Sequence, residues 1–249
     1  MQFRTLVATA TAAFALVSVP SVLAGEPLPI GPPLGVKAPS KRFGTTVARV
    51  VLETNALEAP GSGAVVWRVK TEAIWGGGPQ QLMVLGAKRG ADGQDWIEVQ
   101  LPIKPNGRTG WIRADYTKLK KTPYWLQLSL RTRVVTVFKK GRKIRRFRSV
   151  IGQPQYPTPR GFFAIYERVA QDDPNGFVGP WTVHLTAQST VLDQFDGGPP
   201  RIALHGRGPS SFGDPLGSAR SHGCIRVNNR EINWVARFVI PGTPFEVKA

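Results

Sequence analysis

The stretch Arg201-Ile-Ala-Leu-His205-Gly206, a loop of glycine, proline and serine, and then Ser221-His222-Gly223-Cys224-Ile225-Arg226-Val227-Asn228 hold two of the chain's three histidines and its only cysteine. Residues 201–204 and 225–227, carrying Ile202, Leu204, Ile225 and Val227, flank a segment full of turn formers and are expected to be neighbouring strands. Such strands bring His205, at the end of one, to Cys224, at the start of the other. A thiol with a pKa of about 8.5 is mostly protonated at neutral pH, so a cysteine nucleophile needs an imidazole or a positive field beside it. Both are encoded here. Gly223 removes a side chain just before the sulfur, so backbone N–H groups around residues 222–224 can converge on a carbonyl oxygen. Arg226 lies two residues on, on the strand face of Cys224, where it can pair a substrate carboxylate or hold the thiolate field.

Short apolar runs continue outward from this segment. Residues 124–130 and 134–138, a turn at Lys140-Gly141, and residues 144–151 read as a meander with a hairpin. Further strands are expected at 161–168, 182–185, 201–204, 224–227 and 245–247. Only residues 229–238 look helical, with Ile232, Val235, Ala236 and Val239 at helical spacing and Asn228 or Asn229 available as the cap. Earlier in the chain, residues 47–52, 64–69, 81–85, 96–101 and 110–113 alternate between Gly, Pro, Asn and Asp turns, which suits a small β-barrel. Prolines 27, 29, 32, 33 and 39 make residues 25–44 a semi-rigid linker.

The full pattern resembles the L,D-transpeptidases of bacterial cell walls: His205, fifteen intervening residues, then Ser221-His222-Gly223-Cys224-Ile225-Arg226. Ile151-Gly-Gln and Thr158-Pro-Arg-Gly-Phe look like that family's strand and Thr-Pro-x-Gly turn. The resemblance covers residues 124–248. It implies Cys224 as nucleophile, His205 as the base, and the Gly206 carbonyl as the group orienting that imidazole. It also implies that His222 and Gly223 shape the oxyanion hole, that Ser221 supports them, and that Arg226 stabilises the site. A thioester with a peptidoglycan stem peptide, no cofactor or metal, and covalent inhibition by carbapenems follow as expectations. Residues 81–113 resemble the bacterial SH3-like modules of exported wall enzymes.

The expected fold is therefore mainly β: an SH3-like β-barrel over 45–121, then a mixed, β-sandwich-like catalytic domain over 122–249 with one or two short helices. A basic start, an apolar run over residues 6–19, Pro20 and small residues before Gly25 read as a signal peptide over 1–24. The run is shorter than the roughly 20 residues that span a bilayer, so export without a stable membrane anchor is expected, to the cell wall, periplasm or extracellular space.

The 249 residues carry 33 Lys plus Arg against 16 Asp plus Glu, a formal charge of +17, which favours a polyanionic partner. Export makes nucleic acid an unsuitable one. Nine cations and no acid lie between Arg131 and Arg148, which suits either a solvated face or attraction to anionic wall polymers. One cysteine excludes an intramolecular disulfide framework and a cysteine-rich zinc module. A zinc site from His184, His205, His222 and Cys224 has the right ligand types but no acid close in sequence to support it. His184 reads instead as a strand or pocket-wall residue. Two other readings compete: a sortase-like or other cysteine peptidase, and a non-catalytic wall-binding protein. Ser-His-Gly ahead of the cysteine argues against the first, and intact His205 and Cys224 against the second. The segments 174–180 and 212–217 are candidate lids.

Overall fold

The computed structural model describes residues 34–195 and 197–249. The expected signal peptide over 1–24 and residues 25–33 of the expected linker lie outside them. Seven strands, β1 (Thr45–Val50), β2 (Thr54–Ala59), β3 (Ser62–Val69), β4 (Gln81–Arg89), β5 (Asp95–Gln100), β6 (Thr109–Arg113) and β7 (Thr117–Thr122), form one curled sheet in the order β3-β2-β6-β5-β4-β1-β7. Its apolar face closes on Ala48, Val50, Leu82, Val84, Ile97, Val99 and Ile112. Two of these strands were not expected. β2 carries Asn55 and Glu58, and the edge strand β7 is Thr-Lys-Leu-Lys-Lys-Thr with only Thr122 buried. A lysine-rich edge resists pairing with another chain, and that same polarity hides its strand character. Residues 34–44 are not held apart from the fold: Leu34 and Val36 pack against this core, and Lys41 pairs with Glu246 at 3.0 Å.

The second half adds β8 (Tyr124–Ser129), β9 (Val134–Lys139), β10 (Arg142–Arg148), β11 (Ile151–Gly152), β12 (Gly161–Ala170), β13 (Trp181–Gln188), β14 (Arg201–His205), β15 (Ala219–Ser221), β16 (Ile225–Arg226), the helix α1 (Asn229–Phe238) and β17 (Pro244–Lys248). Eight of these strands form a sheet ordered β10-β9-β8-β17-β12-β13-β14-β16, and β11 pairs with β15. The β9–β10 turn uses Lys140 and Gly141 with positive φ of 49° and 79°, the backbone of a tight hairpin turn. Helix α1 buries Ile232, Val235 and Ala236 against the sheet, as their spacing predicts. Asn228 occupies the cap position but its side chain makes no cap bond. Asn229 instead donates to the Arg207 carbonyl at 2.9 Å and accepts the Arg207 N–H at 2.7 Å, which ties the helix start to the chain just beyond His205.

The two sheets share a buried, hydrogen-bonded seam. Tyr166 of β12 enters the first core and donates to Gln80 at 2.9 Å. Gln100 donates to the Phe162 carbonyl at 2.7 Å and accepts from Thr186 at 2.8 Å. Burying these groups unpaired would be costly, so their mutual satisfaction fixes how the sheets meet. Among the described residues no helix is long and apolar enough to cross a membrane.

Candidate active site

The site rests on the parallel pair β14 and β16, in which Leu204 lies opposite Ile225 and His205 opposite Arg226. Paired residues of neighbouring strands present side chains to the same face, and so do residues two apart on one strand. His205, Arg226 and Cys224 therefore share a face, and all three line one cavity of about 740 Å³. That is a normal size for a small-ligand site.

His205 is 3% exposed, and its Nδ1 lies 2.8 Å from the Gly206 carbonyl oxygen. A carbonyl can only accept, so Nδ1 carries the proton and Nε2 is left with its lone pair. Burial is the main force that lowers the imidazole pKa to about 4; the Gly206 bond opposes it and the Arg226 charge assists it. The ring is neutral at pH 7. Burial raises the Cys224 thiol above its ordinary value, with the Ala203 backbone and Arg226 acting against that shift. The resting pair is therefore a thiol and a neutral imidazole, an arrangement in which the imidazole can accept a proton.

The turn before Cys224 is held at three points. Ser221 Oγ donates to the Cys224 carbonyl at 2.6 Å and accepts the Gly223 N–H at 3.2 Å. Thr158 Oγ1 donates to the Gly223 carbonyl at 2.7 Å and accepts the Gly152 N–H at 2.9 Å. In a trans peptide the C=O and the next N–H point opposite ways within one plane, so with its Gly223 carbonyl held by Thr158 this peptide directs the Cys224 N–H away from Thr158. Gly223 has φ +115°, and a Cβ there would sit 2.9 Å from Ile202 Cδ1, so both backbone and space require glycine. His222 is exposed, lines the cavity, and has its ring 4.8 Å from that of Tyr156. Arg226 is 6% exposed and paired with Asp214 at 2.6 Å, so a carboxylate of this chain already occupies its guanidinium.

His184, on β13, forms part of the cavity wall and stacks at 4.6 Å on Trp75, a residue of the β3–β4 loop. Of the two candidate lids, residues 174–180 bring Phe177 and Val178 to the cavity, and residues 212–217 bring Asp214 to Arg226. Among the described residues no group of three or more His, Cys, Asp or Glu has the arrangement to hold a metal ion. Sequence reasoning did not single out Trp75, Arg201 or Asp214. An exposed tryptophan followed by three glycines was a signal for the first, whereas the other two become visible only by their contacts.

Residues 123–247 match the family model for the YkuD L,D-transpeptidase catalytic domain, half of the chain. The chain belongs to the L,D-transpeptidase catalytic-domain family. This L,D-transpeptidase domain is 31% identical over 122 residues to the YkuD protein of Bacillus licheniformis and 28% identical to that of Bacillus subtilis. Each match takes in 49% of this chain and 63% of the relative's length. A crystal structure of an L,D-transpeptidase from Mycobacterium tuberculosis H37Rv superposes with a TM-score of 0.44 at 14% identity, covering 84% of this chain and all of that one.

Proposed function

We propose that this chain is an exported enzyme that crosslinks peptidoglycan through a Cys224 thioester. As His205 Nε2 takes the thiol proton, the sulfur attacks the carbonyl of the third, diamino residue of a stem tetrapeptide. The Cys224 N–H, set by Thr158 and Ser221, helps stabilise the oxyanion. The C–N bond to the terminal D-alanine breaks, and His205 returns the proton to the leaving amine. The side-chain amine of a second stem then attacks the thioester, loses a proton to His205, and the sulfur leaves to become thiol again. Each step uses groups of this chain, and the energy of the broken amide is retained in the thioester.

The observation that carries this reading is the common face of His205, Arg226 and Cys224 at one cavity, with the imidazole oriented by Gly206, in a chain of this family. The module over 45–121 is read as SH3-like, serving to orient wall peptides. A test is incubation with a disaccharide tetrapeptide and a tripeptide acceptor. Release of D-alanine together with a dimer joined between third residues supports the proposal. Tripeptide without dimer would make the enzyme a carboxypeptidase, and no release would refute the reading. A carbapenem, whose strained amide presents its carbonyl to the same thiol, is expected to give a one-to-one adduct that prior alkylation of Cys224 prevents.

A further inference from the structure

The arginines around the nucleophile differ in what they hold. Arg226 is paired with Asp214, and Arg207, also buried, donates to the carbonyls of Ser211 and Asp214 at 2.7 Å each, so although each has a buried Nε without a partner among the described residues, other donors of both are taken up by the protein. Arg201, at the start of β14, lines the cavity of Cys224 and His205, makes no ion pair within 4.0 Å among the described residues, and has buried Nε and Nη1 atoms without a hydrogen-bond partner among them. Its guanidinium carbon lies 4.0 Å from the Trp75 ring centroid and 4.7 Å from that of Tyr166. Stacking of this kind holds the guanidinium plane while leaving its in-plane donors for a planar anion.

Tyr166, partly through a side-chain hydrogen bond, and Glu167 both favour the Arg201 charge, but neither forms an ion pair with it within 4.0 Å. Tyr166, its pKa pushed up to about 12 chiefly by burial, and His184, lowered to about 4 chiefly by burial, are both neutral at pH 7. Glu167 attracts Arg201 from beyond ion-pair distance. Its Oε2 is occupied by the Trp75 and Gly76 N–H groups, at 3.1 Å each, which pins the loop of the first sheet onto the catalytic sheet. Cys224 Sγ lies 4.0 Å from the backbone carbonyl oxygen of Arg201, so β14 begins beside the sulfur, and the Arg201 side chain extends from there along the same cavity.

We propose that Arg201, stacked against Trp75, anchors a carboxylate of the acyl donor, so that the unit ahead of the catalytic domain takes part in choosing the substrate. This rests on the crosslinking reading above. A carboxylate within a residue or so of the scissile carbonyl is available from two sources: the terminus of the leaving D-alanine, or the side chain of the diamino residue.

The test measures binding of tetrapeptide donors to full-length Cys224→Ser protein by calorimetry, with either carboxylate free or amidated, and kcat and KM for the same donors with active enzyme. A preference of about 10-fold or more for one free acid over its amide is expected, collapsing to about 2-fold in Arg201→Gln, partly restored in Arg201→Lys, weakened in Trp75→Ala and kept in Trp75→Phe. The amidation that matters identifies the carboxylate. Alkylation of the Cys224 parent and the arginine variants by neutral iodoacetamide reports folding, and the lysine and phenylalanine variants carry the test if Arg201→Gln fails to fold. Equal losses on acid and amide, or a parent that does not distinguish them, would overturn the proposal. Acid preference without D-alanine release would leave the subsite standing and refute the crosslinking reading instead.

Discussion

Gly206 accepting the Nδ1 proton and burial keeping the ring neutral together make His205 Nε2 a base, and this dictates a pH profile. The kcat/KM for acylation should stay level from pH 8 to about 5 and fall by half near pH 4, where the imidazole protonates. A midpoint at 6.5 would show a solvated histidine. The raised thiol predicts no thiolate absorbance at 240 nm at pH 7 to 8, whereas a preformed thiolate and imidazolium pair would absorb there. His205→Ala should lower acylation by at least about 10³-fold and His222→Ala by less, since backbone donors remain. Thr158→Val should leave the buried Gly223 carbonyl unpaired, lowering stability by about 1–3 kcal/mol and acylation by about 10-fold. Stability loss without an acylation change would confine Thr158 to a structural role.

At the scale of elements, the hairpin β9–β10 separates two uses of charge. Arg145 pairs with Glu231 of α1 at 2.5 Å, and Arg133, in the turn just before β9, donates to the Gly217 carbonyl at 2.9 Å, so these cations brace the catalytic sheet. Arg142, Lys143 and Arg146 extend from the same hairpin toward solvent. Replacing those three by neutral residues should weaken sedimentation with isolated walls, most at low salt where the Debye length is about 30 Å, and leave turnover of a small soluble stem peptide unchanged. Equal sedimentation at every salt concentration would leave the hairpin a solvated face. Strands with alternating or apolar runs, β8, β9, β12 and β14 among them, were legible in the sequence, as was α1. The polar strands β2 and β7 were not, because polarity masks the alternation in both, and β7 is in addition an edge. His205 and Cys224 were legible because one loop joins their strands. Trp75 reaches the cavity from the other sheet, a relation that no local spacing encodes.

Across the whole molecule, burial of two neutral histidines ties stability to pH. His184 and His205 titrate near 4 when folded and near 6.5 when unfolded, so the unfolded chain binds more protons between those values. Their contribution is complete above pH 6.5 and is lost as pH falls through 4. Glu167, raised by burial, acts in the opposite sense: its contribution is present below 4.5 and lost as pH rises through its folded value. The net slope between pH 6.5 and 4.5 should therefore be positive and under about 2.7 kcal/mol per pH unit, read from urea midpoints. A flat or rising stability on acidification would contradict the buried neutral ring at the centre of the site. The catalytic reading itself reduces to one bond, between Cys224 sulfur and the third residue of a stem peptide. Intact-mass measurement of the protein with a disaccharide tetrapeptide and no acceptor tests it most directly. A species heavier by the donor less D-alanine, mapped to Cys224 and absent from Cys224→Ala, is the predicted result. Folded protein with an unmodified Cys224 and no released D-alanine would contradict the account.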